Sequence, residues 1–326
     1  MRNYFLVYPA LLLVISMAGC QKQDAPSAAV VGTKVTIAQS GQVFLYLPLY
    51  IAKTKGFFAE RGLDVNFLST GGEDNSFAAL TAGSAQFAVV NPVAVTRGKG
   101  PAMKVITSLV CAAPYWGLAY RRDIGEIDEA QEFSGLRIAT QPSPGIDFLL
   151  MKETLSQAGL LEKSQMLPVV SDQLQSYLKD GQADLMLASE PLAAYAVKQG
   201  AHIVYSATRR YGDFAFAGIV TTDEKIAADP KLVQALVLSV AKAIAWIHAD
   251  FEDALQIAHA EFPQIPVDIL RDALHHLIDN KVIPNSAVLR ESAWNNAVQL
   301  YRSTGEIKAD ASYAGNVATA FAQRAP

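Results

Sequence analysis

The sequence predicts an α/β fold with two lobes, and three observations support that prediction. Short apolar runs alternate with helical patterns along most of the chain, which is typical of sheets covered by helices. The chain has 326 residues, enough for two units of ordinary size. Apolar residues make up 51% of it and charged residues 18%, so burial of apolar side chains can offset the entropy of ordering.

The individual elements follow from these patterns and from proline and glycine residues, which mark where helices begin and end. Strands are predicted for the apolar runs at 34–38, 63–68, 86–90, 136–139, 169–170, 184–188 and 202–206. Helices are predicted over 48–55, 75–82, 144–158, 172–180 and 191–199, and near 232–247, 250–261, 266–279 and 288–303. The last four make the chain all-helical beyond about residue 230.

Two similar segments indicate how the lobes are connected. GLAYRRD at 117–123 and GIVTTD at 218–223 are apolar strands that end in polar residues. We therefore predict one lobe from 33–118 plus 219–326, a second lobe inserted at 119–218, and a hinge in which these two strands pair. Two sequential domains are the alternative, but they would leave the C-terminal helices without a sheet to cover.

The N-terminal segment has the pattern of a secretion signal. Arg2 is its only charge, and the apolar run that follows it is shorter than the ~20 residues of a membrane-spanning helix. Small residues then precede Cys20, which resembles a bacterial lipobox. We predict a signal peptide over 1–19, a lipid on Cys20 and a tether over 20–32. An ordinary signal with an incidental cysteine is the alternative, and the choice of inner or outer membrane stays open.

Composition and motifs exclude several classes of protein. Two cysteines are too few for a disulfide scaffold, and Cys111 lies in an apolar run that predicts a buried thiol. A net charge of −4 argues against a nucleic-acid partner. The five histidines lack HExxH spacing, and no G-x-S-x-G motif occurs. We therefore expect neither an enzyme nor a resident metal or cofactor.

Two blocks of sequence resemble a known family. The run PLYIAKTKGFFAERGLDV at 48–65, the glycine pair at 71–72 and ALTAGSAQFAVV at 79–90 form the first block. LKDGQADLMLASEP at 178–191 forms the second. Both resemble the substrate-binding proteins of the sulfonate, taurine, nitrate and thiamine-pyrimidine group, which have an NMT1/THI5-like domain. The chain departs from that pattern at Gln86 and Ala88, where the family commonly has Asp and Gly.

This resemblance implies a type II periplasmic-binding fold, with two lobes joined by crossing strands and a ligand cleft between them. It also implies a monomer that closes on a small solute and delivers it to the permease and ATPase subunits of an ABC importer. A ligand-binding partner of a signalling receptor would use the same cleft, and the sequence does not separate the two roles.

Ligands of open α/β sheets bind beyond the carboxyl ends of the strands. Loops at those positions hold polar groups for hydrogen bonds, aromatic rings for stacking and glycines that allow close backbone approach. The candidate ligand-binding residues are Gln39, Gln42, Phe44, Tyr46, Gly71, Gly72, Glu73, Asn91, Trp116, Gln141, Ser143 and Glu190. For each of them, packing, turn formation or helix capping is the alternative interpretation.

The candidate loops also favour one class of solute. They contain no arginine for the bidentate recognition of sulfonate or carboxylate. A neutral or basic solute, heterocyclic or amine-bearing, is therefore predicted, with Glu190 as an acceptor. Backbone N–H groups can still bind an oxyanion, so a sulfonate or taurine remains the alternative. If Glu190 and Trp116 line the cleft, replacing either by alanine should weaken solute binding with little loss of stability.

Overall fold

The computed structural model describes residues 1, 32–97, 101–307 and 311–325. All of the predicted signal peptide after residue 1, Cys20 and nearly all of the tether lie outside these residues. The strands are β1 (Thr33–Gln39), β2 (Leu63–Ser69), β3 (Phe87–Val90), β4 (Met103–Ala112), β5 (Trp116–Ala119), β6 (Arg137–Thr140), β7 (Gln165–Pro168), β8 (Leu185–Ala188), β9 (His202–Ser206) and β10 (Asp213–Thr222). The helices are α1 (Leu47–Thr54), α2 (Glu73–Thr81), α3 (Ile146–Gln157), α4 (Leu174–Lys179), α5 (Leu192–Lys198), α6 (Ala207–Tyr211), α7 (Asp223–Ala228), α8 (Pro230–Ala249), α9 (Phe251–Glu261), α10 (Val267–Asp279), α11 (Glu291–Ser303) and α12 (Tyr313–Asn316).

The strands form two five-stranded sheets, with orders β2-β1-β3-β10-β4 and β7-β6-β8-β5-β9. In the first sheet β1 is parallel to β2 and β3, while β10 is antiparallel to β3 and β4. In the second sheet β6 is parallel to β7 and β8, while β5 is antiparallel to β8 and β9. We call the first sheet with α1, α2 and α7–α12 the first lobe, and the second sheet with α3–α5 the second lobe.

The chain crosses between the sheets at places that differ from the predicted hinge. It leaves the first sheet after Ala112, enters the second at Trp116, and returns through α6 into β10. GLAYRRD and GIVTTD do not pair, because Gly117 lies in the second sheet and Gly218 in the first. A Cβ on Gly117 would come within 2.8 Å of Tyr205 Cβ, and one on Gly218 within 2.8 Å of the Thr107 carbonyl oxygen. Close packing inside each sheet therefore explains the glycine in each segment.

Helix α8 organises the core of the first lobe. Its predicted apolar stripe is buried, with Leu236 and Val240 fully enclosed, and the Ser239 hydroxyl donates to the Phe57 carbonyl at 2.9 Å. Asp229 caps the helix by accepting from the Leu232 N–H at 3.0 Å. Among the described helices, α8 alone has the length and composition to cross a membrane, but 56% of its apolar window is buried inside this fold.

The remaining cysteine of the described part is a core residue, as predicted. Cys111 lies in β4 with 1% of its surface exposed, and its Sγ is 2.9 Å from the Ser108 hydroxyl. Burial raises the pKa of the Cys111 thiol, so the reactive thiolate is disfavoured.

Candidate functional site

The topology brings the carboxyl ends of both sheets to the region where the chain crosses between them. Strand β4 runs parallel to β3, since both are antiparallel to β10, so Ala112 lies at the same sheet end as Val90. Strand β5 begins at Trp116, which pairs with Ala188 at the end of β8. The loops after β1–β3 and after β6–β8 therefore lie at the sheet ends where open α/β sheets bind ligands, and we call the region between them the interlobe cleft.

The loops of the first lobe are joined around Glu73 and Asn91. The Glu73 carboxylate accepts from the Asn91 backbone N–H at 2.7 Å. The Asn91 side chain accepts from the Val93 N–H at 2.9 Å and donates to the Tyr301 hydroxyl. Asn91 is almost fully buried, whereas 34% of the Glu73 side chain is exposed. Glu73 thus has a fixed position and a carboxylate that a solute can reach.

Tyr46 follows β1 in the same lobe, and the charge of Glu73 acts on its phenol. Burial raises the pKa of the Tyr46 phenol, the Ser40 hydroxyl lowers it by hydrogen bonding, and the charge of Glu73 raises it. Gln39 is different, because its side chain is buried and accepts from the Tyr50 hydroxyl at 3.3 Å. Gln39 therefore supports the loop from below and does not offer a free amide to the cleft.

The glycine pair makes the turn into α2. Gly71 has φ +80°, in the left-handed region that favours glycine, and its N–H donates to the Ser40 carbonyl at 2.9 Å. No atom lies within 4 Å of a Cβ built on Gly71. Gly72 then caps the helix without a side chain. The turn therefore leaves space beside Gly71.

The second lobe contributes the loop after β6. The Gln141 N–H donates to Asp147 at 2.7 Å, and Ser143 is exposed at the loop tip. Asp147 is fully buried, and its other carboxylate oxygen has no hydrogen-bond partner. Burial raises the pKa of Asp147, while backbone N–H groups including that of Gln141 lower it.

Tyr115 lies in the first crossing segment. Burial raises the pKa of the Tyr115 phenol well above its usual range, and the charge of Asp147 raises it further. Tyr301 and Tyr46 add smaller contributions of the same sign.

Glu190 and Trp116 form a separate group with a residue of the first lobe. One Glu190 oxygen is 2.6 Å from His276 Nδ1, and the other accepts from the Ala194 N–H at 3.0 Å. The Trp116 ring is 2% exposed and lies 5.9 Å from the His276 ring, centroid to centroid. The protein itself therefore occupies both Glu190 oxygens.

Two predicted contacts lie away from the cleft cluster. Phe44 is buried in the core, edge-on to Phe262 with ring centroids 5.6 Å apart. Gln42 is exposed, and its amide donates to the carbonyl and carboxylate of Glu261 at 2.9 and 3.0 Å. The alternative interpretation, core packing, describes Phe44, whereas the Gln42 amide joins its loop to the end of α9.

Comparison with known proteins identifies the family. The family described as "NMT1/THI5 like" matches residues 44–254. The chain belongs to the NMT1/THI5-like family. Over 321 residues it is 21% identical to "Putative binding protein YtlA" of Bacillus subtilis (strain 168), covering 94% of this chain and 92% of that protein.

Solved structures confirm the predicted periplasmic-binding fold of this NMT1/THI5-like protein. The periplasmic aliphatic sulphonate binding protein SsuA from Escherichia coli matches with TM-score 0.71 at 13% identity, covering 87% of this chain and 97% of that one. The ligand binding component of an ABC-type import system from Staphylococcus aureus, with zinc bound, has TM-score 0.70 at 13% identity, with coverages of 90% and 99%. In the described part of this chain, no group of three or more His, Cys, Asp or Glu residues is arranged to hold a metal ion.

Four residues of this NMT1/THI5-like site gave no signal in the sequence. Tyr301 and His276 come from C-terminal helices that only the tertiary fold brings to the strand ends. Asp147 sits in the first turn of α3, where a cap is the ordinary interpretation. Arg97 lies beyond the loop after β3, with its guanidinium 3.8 Å from Glu73 and 3.6 Å from Asp74.

Proposed function

We propose that this NMT1/THI5-like protein is the solute-binding component of an ABC importer and not an enzyme. It takes a small solute into the interlobe cleft and presents it to permease and ATPase subunits. One observation carries the proposal: the carboxyl ends of the strands of both sheets meet where the chain crosses between them, from Ala112 at the end of β4 to Trp116, which pairs with Ala188 at the end of β8. The printed names of the structural relatives support the same role.

The mechanism we propose is hinge closure. The lobes are joined by two crossings, one at 113–115 and one through α6, so a rotation about them opens or closes the cleft. A solute that contacts both lobes binds the closed state better and shifts the population toward it. Docking of the closed state on the permease then completes capture.

The solute class we propose is heterocyclic or amine-bearing. The Glu73 carboxylate is partly exposed, held by the Asn91 N–H, and suited to accept from an amine or a ring N–H. The Tyr46 ring offers an aromatic surface for a planar or cationic group. The hydrogen bond from the Asn91 N–H orients the Glu73 carboxylate, so this contact can select by geometry as well as charge.

An oxyanion such as a sulfonate is the second candidate. Arg97, which the sequence did not indicate, lies within 4 Å of Glu73 and Asp74 and would be free to bind an anion if it exchanged partners. The open turn at Gly71 and Gly72 leads into the N-terminus of α2, where backbone N–H groups point outward.

Isothermal titration calorimetry separates the two candidates. The purified protein is titrated with an aminopyrimidine, a flavin, taurine and a longer alkanesulfonate. We expect saturable heat with an aminopyrimidine or flavin, at least tenfold weaker binding in Glu73→Gln, and unchanged binding in the control Gln42→Ala. Heat with the sulfonates alone contradicts the solute class but supports import. Heat that Glu73→Gln leaves unchanged contradicts the placement of the site, and no heat with any of the four contradicts the proposal as a whole.

We also propose that the protein is a monomer held on the extracytoplasmic side of a bacterial membrane, periplasmic or cell-surface, by a lipid on Cys20, with the preceding 19 residues removed. Mass spectrometry of the protein purified from membranes tests this. The expected mass is that of a chain beginning at a diacylated Cys20, and Cys20→Ala should release the protein into the aqueous fraction. An unmodified cysteine in the membrane-purified protein would contradict the anchor.

A further inference from the structure

An ion pair connects the two lobes beside the cleft. Glu190 follows β8 in the second lobe, and His276 lies on α10 in the first, with the joined atoms 2.6 Å apart. The chain after α10 is fixed to the first sheet, because the Cys111 N–H donates to the Val282 carbonyl at 3.1 Å and the Ser108 N–H to the Ala287 carbonyl at 2.9 Å. Opening the lobes along this edge therefore separates Glu190 from His276.

The environment of the pair makes that separation costly. The Glu190 side chain has no exposed surface, so its charge is removed from water and depends on its two partners. The partners are His276 and the Ala194 N–H, while the Trp116 ring covers one side of the imidazole. The His276 side chain is 32% exposed, so protons can reach it.

Other charged groups near His276 do not replace Glu190. Asp272 and Asp279, on α10 itself, also raise the pKa of His276 through their charge, but less than Glu190 does. On α5, which packs against α10, Lys198 is bound to Asp268 at 2.7 Å, and both of these side chains are more than half exposed. This second interlobe pair is screened by solvent and serves as a matched control.

We propose that Glu190 and His276 form a pH-sensitive latch that holds the lobes together when His276 is protonated. The latch acts on the closure equilibrium itself, whatever solute the cleft binds. Protonated protein would retain solute, and neutral His276 would leave Glu190 without its cation and favour the open state.

The sign of the pH dependence follows from His276. The hydrogen bond to Glu190 raises the pKa of His276 above its usual value, against burial, which lowers it. A raised pKa means that the stabilisation of the closed state is complete below the ordinary histidine value of about 6.5 and is lost as pH rises through the raised value. Closure without solute is therefore favoured at pH 6 and disfavoured at pH 9.

Small-angle X-ray scattering of the solute-free protein tests the latch. We expect the radius of gyration to increase between pH 6 and pH 9 in the wild type and in Asp268→Asn. In His276→Gln, which stays neutral, the radius should not change with pH. An equal increase in His276→Gln and wild type would overturn the proposal, and so would no increase in wild type.

A second measurement does not depend on the shape of the molecule. NMR titration of the His276 ring protons should give a pKa above the usual range in wild type and a clearly lower one in Glu190→Gln. Circular dichroism shows whether each variant is folded. A His276 pKa that does not change in folded Glu190→Gln would contradict the latch.

Discussion

At the scale of single residues, burial decides which candidates are free to bind a solute. Glu73 keeps a partly exposed carboxylate, whereas Glu190 and Trp116 are enclosed by protein. The sequence predicted that alanine at Glu190 or Trp116 would weaken solute binding and spare stability. The structure contradicts the expectation about stability. The Trp116 ring is buried, and both Glu190 oxygens are hydrogen-bonded within the protein.

Trp116→Ala should therefore destabilise the protein strongly. Removing a buried tryptophan leaves a cavity, and we expect the free energy of unfolding to fall by about 3–5 kcal/mol. Urea denaturation followed by circular dichroism measures this. Tyr195→Ala is the control, since Tyr195 is 40% exposed and should lose less than about 1 kcal/mol. Equal losses in the two variants would contradict the burial of Trp116.

Asn91→Ala should also lower stability, by a different mechanism. The change leaves the Val93 N–H and the Tyr301 hydroxyl without their partner, and we expect a loss of about 2–3 kcal/mol. Asn75→Ala is the control, because Asn75 makes one exposed hydrogen bond to Thr70. If the urea midpoint of Asn91→Ala equals that of wild type, the hydrogen bonds of Asn91 with Val93 and Tyr301 do not stabilise the fold.

At the scale of elements, three strand ends of the second lobe are tied by one carboxylate. Asp184, just before β8, accepts from Arg137 at the start of β6 at 2.9 and 3.0 Å, and from Arg121 beyond β5 at 2.9 Å. The hydrogen bond from Arg137 is the main cause that lowers the pKa of Asp184 to about 2. This carboxylate is nearly buried, while the two guanidinium groups are more exposed.

Asp184→Asn should change how stability depends on acid. A lowered carboxylate pKa stabilises the fold above the ordinary value of about 3.9, and that contribution is lost as pH falls toward 2. We expect Asp184→Asn to lose about 2 kcal/mol at pH 7 and to show a flatter decline in stability between pH 5 and pH 2. Asp180→Asn, at an exposed position, should follow wild type. An Asp184→Asn profile parallel to wild type would contradict the linkage.

Local pattern predicted most elements but not how strands are shared between sheets. Helix α8 and strand β1 follow directly from apolar spacing and from caps such as Asp229. The predicted pairing of the segments at 117–123 and 218–223 was wrong, because Gly117 pairs within the second sheet and Gly218 within the first. Pairing between distant strands depends on tertiary contacts that no local window contains.

At the scale of the whole molecule, the family blocks predicted the two-lobed periplasmic-binding fold, and the structural relatives confirm it. The loops at the carboxyl ends of the strands could be located from the sequence, because the strand ends follow from apolar spacing. The sequence could not predict which side chains of these loops bind other parts of the protein. Tyr301 and His276, which pair with Asn91 and Glu190, come from helices far along the chain. The same holds for Gln39, whose side-chain oxygen accepts a hydrogen bond from the Tyr50 hydroxyl that the sequence did not indicate.

The central claim is that a solute binds between the lobes and contacts both. Hydrogen–deuterium exchange with the tightest-binding member of the solute panel tests it most directly. We expect slower exchange on binding in residues 69–75 of the first lobe and in residues 140–147 of the second. Protection of one of these segments without the other, or of neither, would contradict it.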